Sequence, residues 1–259
     1  MRSHFIGAIL AVVAVLAFSP GLLAQTGQPS GVTGNKTSGP GGHPADLSGV
    51  WGRYMGINDR TFTQDKTPAM TPWGEERFKA ATAGVIDGRL SRRDEADLML
   101  TQCAPAGFPR ILMLGDRPFE IIQFPGRVLM LFEWDHWVRQ IWMDGRKHPE
   151  DPDPTWMGHS IGWWEGDTLV VDTVGFNDKT WLDQAAHPHS DQLHLVERWR
   201  RVDQEILDLQ ITFDDPIAYP KPWAGKRLFG LKPNWEIQEE VYCEFRGILN
   251  SPEYLPFVP

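Results

Sequence analysis

The sequence predicts an all-β fold, an antiparallel up-and-down barrel with one or two short helices near its N-terminal end. Three observations carry this. Short stretches in which polar and apolar residues alternate succeed one another from Phe119 onward, tight-turn residues separate them, and helix-starting signals are confined to the region before residue 105. Short strands joined by tight turns make a meander, and closing the meander into a barrel removes its exposed edges. A β-sandwich is the alternative architecture.

The elements follow in order. Asp46-Leu47-Ser48-Gly49-Val50-Trp51 opens the folded part. Thr71 caps a helix running to about Ala83, with Pro72 in its first position and Glu75 in its first turns. Ser91 followed by Asp94 begins a second helix that ends near Cys103-Ala104-Pro105. Strands are then expected over Phe119–Phe124 and Arg127–Trp134, turning at Pro125-Gly126, and over Trp137–Met143 after the tight link Asp135-His136. His159–Trp164 and Thr168–Val174 flank Glu165-Gly166-Asp167, and Leu193–Val202 and Ile206–Phe213 flank Asp203-Gln204-Glu205. Arg227–Leu231 and Glu236–Phe245 close the series.

The ends and the composition set the class. Arg2 followed by the apolar run Phe5–Phe18 reads as an export signal over residues 1–24, with Leu22-Leu23-Ala24 before the cleavage point. The run is shorter than the roughly 20 residues a spanning helix needs, a retained anchor being the lesser alternative. Residues 25–44 are Gly, Ser, Thr, Pro and Gln with little apolar content, a flexible linker. Residues 45–259 form one domain, placed in the periplasm or outside the cell. Net charge is −9, about −10 without Arg2, which disfavours nucleic acid and anionic membrane surfaces as partners. Cys103 and Cys243 are expected to pair in an oxidising compartment. The bridge would close a loop of about 140 residues, worth about 4–5 kcal/mol. Two separate buried thiols are the alternative.

The Gly49-Val50-Trp51 opening resembles the Gly-x-Trp start of lipocalin-type barrels and agrees with the meander. A wider pattern is similar to a family of uncharacterised secreted bacterial proteins. It is carried by Phe132-Glu133-Trp134-Asp135-His136-Trp137-Val138-Arg139, by Asp144-Gly145-Arg146, and by the run from Gly158 through Ser160-Ile161-Gly162-Trp163-Trp164-Glu165-Gly166-Asp167-Thr168-Leu169-Val170-Val171-Asp172-Thr173. Gly175-Phe176-Asn177-Asp178 and Glu197-Arg198 belong to it as well. The resemblance covers most of residues 100–225 and implies no activity, so function has to come from the residues.

Between Glu133 and Trp199 lie eight of the twelve tryptophans and six of the eight histidines, interleaved with carboxylates. Those residue types build either an aromatic core or a pocket for a ring-shaped molecule. Two long connections, His148–Met157 and Gly175–Gln192, break the rhythm of tight hairpins and are expected to share one mouth of the barrel. Alternation turns Leu193, Leu195, Glu197 and Trp199 inward, and a carboxylate so placed must be paired or pushed toward its neutral form. Apolarity likewise favours Met157, His159, Ile161 and Trp163 as the inward set of their strand, and Arg139 with Trp137 and Ile141 of theirs.

The expectation is therefore a mouth site. His159 and His189 move protons, Asp183 or Glu197 orients a histidine or acts as base, and Arg139 holds the substrate against Trp137, Trp163 and Trp181. A structural Arg139–Glu197 ion pair with solvated loop histidines is the alternative. His187-Pro188-His189 with His194 and Glu197 is similar to the cupin His-x-His and Glu string, but seven residues separate His189 from Glu197 and His194 points the other way. No metal ligand or cofactor is assigned, a metal with His159 as an extra ligand being the lesser alternative. Gly158-x-Ser160-x-Gly162 spells a nucleophile elbow but lies within a strand, and no phosphate or dinucleotide loop is present. A glycosidase reading of the carboxylates and tryptophans ranks lower. Two functions follow: an exported acid–base enzyme, whether lyase, isomerase or hydrolase, acting on an apolar or ring-containing small molecule, or a lipocalin-like carrier of such a molecule.

Overall fold

The computed structural model describes residues 46–54, 60–63, 67–82, 97–114 and 117–239. The signal and linker, the start of the second helix, Cys243 and most of the strand expected over Glu236–Phe245 lie outside them. Among the described residues no helix is long and apolar enough to cross a membrane.

Nine strands close a barrel in chain order: β1 (Gly49–Arg53), β2 (Phe119–Phe124), β3 (Arg127–Phe132), β4 (Val138–Trp142), β5 (His159–Glu165), β6 (Thr168–Val174), β7 (His194–Arg201), β8 (Ile206–Asp214) and β9 (Trp223–Leu231). β9 pairs with β1 through Trp51↔Leu231, so the ring closes on the strand that ends at Leu231. Residues 236–239, where another strand was expected to begin, are not strand. Every junction is antiparallel except β4–β5, which is parallel through Ile141↔Ser160 and Trp142↔Ile161. An odd ring cannot alternate throughout, so nine strands require at least one parallel junction. It falls where the chain between Trp142 and His159 is too long for a hairpin. A parallel pair needs a crossover of a dozen or more residues, and this connector supplies sixteen.

The parallel step sorts the loops. The tight turns at Pro125-Gly126, Gly166 and Asp203–Glu205 all lie at one end. The β1–β2, β6–β7 and β8–β9 connections lie at the other, and the β4–β5 connector climbs from the turn end to reach it. There the two long connections meet as expected: Thr155 N donates to Gly175 O (2.9 Å) and Asn177 N to Thr155 O (2.9 Å). Helix α1 (Pro72–Thr82) lies at the same end. Thr71 caps it, its Oγ1 accepting from Gly74 N (3.1 Å), while Thr71 N donates to Ala218 O (3.0 Å). Gly74 is required there, since a Cβ would stand 2.4 Å from Ala218 O. A five-residue helix, α2 (Leu98–Gln102), is capped by Asp97 and ends at Cys103 in a left-handed turn.

The barrel is filled. Rings from four strands meet inside it, Phe119 edge-on to Phe229 at 4.9 Å and Trp199 stacked on Phe229 at 5.8 Å, beside the fully buried Trp51. Strand β7 turns Leu195, Glu197 and Trp199 inward, as its alternation predicts. Strand β5 does the reverse of its expectation: Ser160 and Gly162 face in, and His159, Ile161 and Trp163 face out. The reason is space. A Cβ on Gly162 would stand 2.8 Å from Met143 Sδ and 2.9 Å from Ile141 Cγ2, so this wall accepts only the smallest residues. Replacing Gly162 with Ala should therefore destabilise the barrel by about 1–3 kcal/mol in urea unfolding, the range for overpacked cores. Unchanged stability would mean that Met143 and Ile141 yield freely.

Candidate functional site

Three groups of polar side chains stand out, and they lie in three different places. The first is inside the barrel. Glu197, 0% exposed, and Arg139, 1% exposed, form a two-pronged ion pair, with Arg139 Nη1 donating to Oε2 (2.8 Å) and Nη2 to Oε1 (2.6 Å). Arg139 Nε and Nη2 also donate to Ser160 Oγ (3.2 and 3.0 Å), and Nη2 to Thr173 Oγ1 (2.9 Å). Trp199 Nε1 donates to Glu197 Oε2 (2.9 Å). Phe108, from the β1–β2 connection, lies flat on the guanidinium at 3.6 Å and closes the barrel above it. Gly107 lets that plug approach, because a Cβ there would stand 2.5 Å from Thr180 Cγ2. A charge pair so enclosed and so fully bonded is a structural tie.

The second group is buried in the β6–β7 connection. Asp183 Oδ1 accepts from the backbone N–H groups of Ala185 (2.9 Å) and His187 (3.3 Å), and Oδ2 bonds His187 Nδ1 (2.6 Å). A carboxylate only accepts, so Nδ1 carries a proton, and in the neutral ring Nε2 keeps its lone pair. Among the described residues that buried Nε2 has no hydrogen-bond partner. Phe78 of α1 stacks on the His187 ring at 5.4 Å. His189 is also buried, with Nδ1 bonded to Ser190 O (3.1 Å). Burial holds its imidazole below the usual value, against weaker opposing effects from the Ser190 carbonyl, Asp215 and Asp178. Asp215 ties the connection down by accepting from Ser190 N (2.6 Å) and Ser190 Oγ (2.8 Å), and Tyr219 Oη donates to Pro188 O (2.8 Å).

The third group is on the outer wall, half-exposed. His148 of the connector bonds His159 of β5, Nδ1 to Nδ1, at 2.8 Å. Its other nitrogen, Nε2, bonds Asp172 Oδ1 of β6 (2.8 Å), and the second oxygen of Asp172 meets His194 Nε2 of β7 (3.0 Å). Three imidazoles and one carboxylate thus form a continuous hydrogen-bonded chain. Because Asp172 only accepts, His148 carries a proton on Nε2, and in its neutral form it presents a lone pair at Nδ1. His159 must then donate from Nδ1, which leaves its own Nε2 as the basic nitrogen. Partial burial, then His148, then Arg146 push His159 below the usual imidazole value, so it is neutral at pH 7.

A groove of about 410 Å³ is lined by Pro149, Glu150, Asp151, Pro152 and Pro154 of the connector and by Val174, Gly175, Phe176, Asp191 and Gln192, and the four residues of this chain are not among its lining. Three members of the chain have near neighbours in its wall. Pro149 follows His148, Val174 pairs with His159 across the β5–β6 ladder, and Gln192 precedes His194 by two.

The residues expected to meet at one mouth are therefore dispersed. Arg139 and Glu197 are sealed inside, Asp183 and His189 are buried at the rim, and His159 is on the outer wall. Asp183 partners His187, not His189. Trp163, 43% exposed, donates to Glu165 Oε1 (3.1 Å). Trp181 lies under Arg110 at 4.9 Å, and Trp137 is half-buried beside the Asp135-His136 turn, so the three tryptophans share no wall. Glu197 and His194 face opposite sides of β7, which breaks up the cupin-like string, and among the described residues no three His, Cys, Asp or Glu groups are arranged to hold a metal ion. Cys103 is exposed, and its expected partner Cys243 lies outside the described residues. His148 and Asp172 went unnamed as site residues, although the register of the β5–β6 hairpin sets Asp172 opposite Ile161 on the outward face. Known protein-family models do not match this chain, and neither does any curated protein.

Two measurements test this partition. Replacing Glu197 with Leu or Arg139 with Met should each destabilise the fold by about 3–5 kcal/mol in urea unfolding, while the double variant loses less than their sum. Strict additivity would deny the pair. His189 supplies a pH dependence. Its folded value lies below the unfolded 6.5, so its contribution is complete above that pH and is lost as pH falls toward the folded value. The unfolding free energy should fall on acidification below about pH 6.5, and His189→Leu should flatten that slope. A variant slope equal to wild type would place the acid sensitivity elsewhere.

Proposed function

We propose that this protein is an exported small-molecule enzyme, periplasmic or secreted, that works by general acid–base chemistry on the outer wall of its barrel. The observation that carries the proposal is the hydrogen-bonded chain His159–His148–Asp172–His194 beside a groove of about 410 Å³. Grooves of that size suit a small molecule, and His159, held below the ordinary imidazole value near such a groove, is the kind of group proton transfer needs. The groove walls combine Val174, Phe176 and three prolines with exposed carboxylates, which fits an apolar or ring-containing substrate.

His159 is the base in this reading. Its Nε2 takes a proton from the substrate, or from a water that attacks the substrate, and the bond electrons stay with the group that lost the proton. The Nδ1 proton of His159 passes to His148 Nδ1, and the positive charge comes to rest beside the Asp172 carboxylate. Return of the proton to the product completes a lyase, isomerase or hydrolase cycle. No cofactor is required for these steps.

A carrier of the same kind of ligand is the second reading, favoured by the proline-rich and apolar side of the groove. One experiment separates them. The purified protein is assayed against ring-containing esters, lactones, epoxides and β-hydroxy ketones. His159→Asn and Asp172→Asn are then tested on whichever compound is turned over. Loss of kcat by about 10²–10⁴-fold with an unchanged circular dichroism spectrum is expected. Turnover that survives both substitutions would remove His159 from the chemistry, and saturable binding without turnover would favour the carrier.

A further inference from the structure

The same chain of side chains holds the β4–β5 connector against the barrel, and it does so through bonds that depend on where protons sit. His148 ties the first part of the connector to the wall, by Nδ1 to His159 and by Nε2 to Asp172, while further along Thr155 bonds Gly175 and Asn177 and Trp156 O accepts from Phe108 N. In the neutral pair a single proton lies between the two Nδ1 atoms, 2.8 Å apart. A first added proton leaves that geometry intact. His148 then holds protons on both nitrogens, donating from Nδ1 to His159 and from Nε2 to Asp172, while His159 becomes the neutral tautomer protonated at Nε2. A second proton added to the His148–His159 pair itself can only be placed with N–H against N–H. The bond between the rings then breaks and two imidazolium groups face each other.

We propose that His148, His159 and Asp172 form a latch that stores one proton and releases the connector on the second, so that acid opens the groove. The surroundings bias this in one direction. From the connector, Arg146 stands near His159 and adds positive charge, although Asp144 is bonded to it. From β6 comes Asp172, whose second oxygen is already shared with His194 of β7. Gln140 of β4, next in register to His159, is uncharged. Glu150 and Asp151 follow His148 in the connector at exposed positions. With both rings charged, Asp172 is, among the described residues, the one carboxylate hydrogen-bonded to the group, and it is shared between His148 and His194.

The latch rests on the same side chains as the proposed active site but not on turnover, so its test needs no substrate. The full chain is labelled with ¹⁵N at its histidines and followed by NMR from about pH 8 to about pH 4, with amide hydrogen exchange measured across residues 147–157. The first proton should appear as an imidazolium at His148 while His159 changes from the Nδ1–H to the Nε2–H tautomer and stays neutral. With the second proton, connector amides such as Thr155 N should exchange at least about tenfold faster relative to the β6 amides.

In His159→Asn, which keeps a donor and an acceptor but takes no proton, the connector should stay protected to the lowest pH. Three results would overturn the latch: His159 charging first, connector protection independent of pH, or identical acid release in wild type and His159→Asn. The titration order is read on the wild-type chain, so the inference is tested even if the variant does not fold. Loss of turnover in His159→Asn without any acid release would sustain the enzyme and sink the latch. Acid release with no turnover of any compound would do the opposite.

Discussion

The ion pair between Arg139 and Glu197 is the interaction on which the barrel depends. The β4–β5 junction has only two residue pairs in register, the fewest in the ring. Arg139 leaves β4 at that junction and reaches Ser160 on β5, Thr173 on β6 and Glu197 on β7. One guanidinium thus ties together four consecutive strands, across the place where backbone pairing is thinnest. A buried charge pair is not in general a strong source of stability compared with apolar packing of equal volume. Its value here is directional. Five donors in a plane can bond partners on both sides of a weak ladder, which a leucine cannot do.

Much of this was legible in the chain. Strand β7 could be oriented because Leu195 and Trp199 alternate with Arg198 and Arg200, so the inward Glu197 followed from pattern alone, while its pairing with Arg139 was the alternative to a substrate-holding arginine. Strand β5 could not, because its inward residues are Ser160 and Gly162. What makes a serine belong inside is an arginine on another strand, and what makes a glycine belong there is the bulk of Ile141 and Met143. Neither is visible to a rule that reads one strand at a time. The parallel β4–β5 junction departs from the all-antiparallel meander that the tight turns predict, and nothing in the sequence shows the connector's route up the outer wall, which brings His148 to Asp172. The link Asp135-His136 shows the opposite case: two residues at positive φ (49° and 53°) form a tight turn whose role is conformational, as their position in a short link suggests.

The histidines are sorted by what covers them. Those in the β6–β7 connection are sealed by Phe78, Tyr219 and Phe176 and serve the packing of the rim. Those on the outer wall have one face toward water and partners that decide their tautomers. Identical side chains within a short stretch of sequence therefore have different chemistry, and the difference comes from the elements laid over them, α1 in one case and the connector in the other.

The odd strand count also limits how such a barrel can change over generations. A ring with a single parallel junction keeps its handedness of pairing only if strands are gained or lost two at a time. β2–β3, β5–β6 and β7–β8 are each a compact hairpin closed by a short turn at the same end. Duplication or deletion of such a unit preserves both the closure and the crossover, whereas loss of a lone strand changes the number of parallel junctions, to two at most places and to none where β4 or β5 is lost. Variation in this architecture should thus come in hairpin-sized steps, with the loops at the far end free to diverge in length.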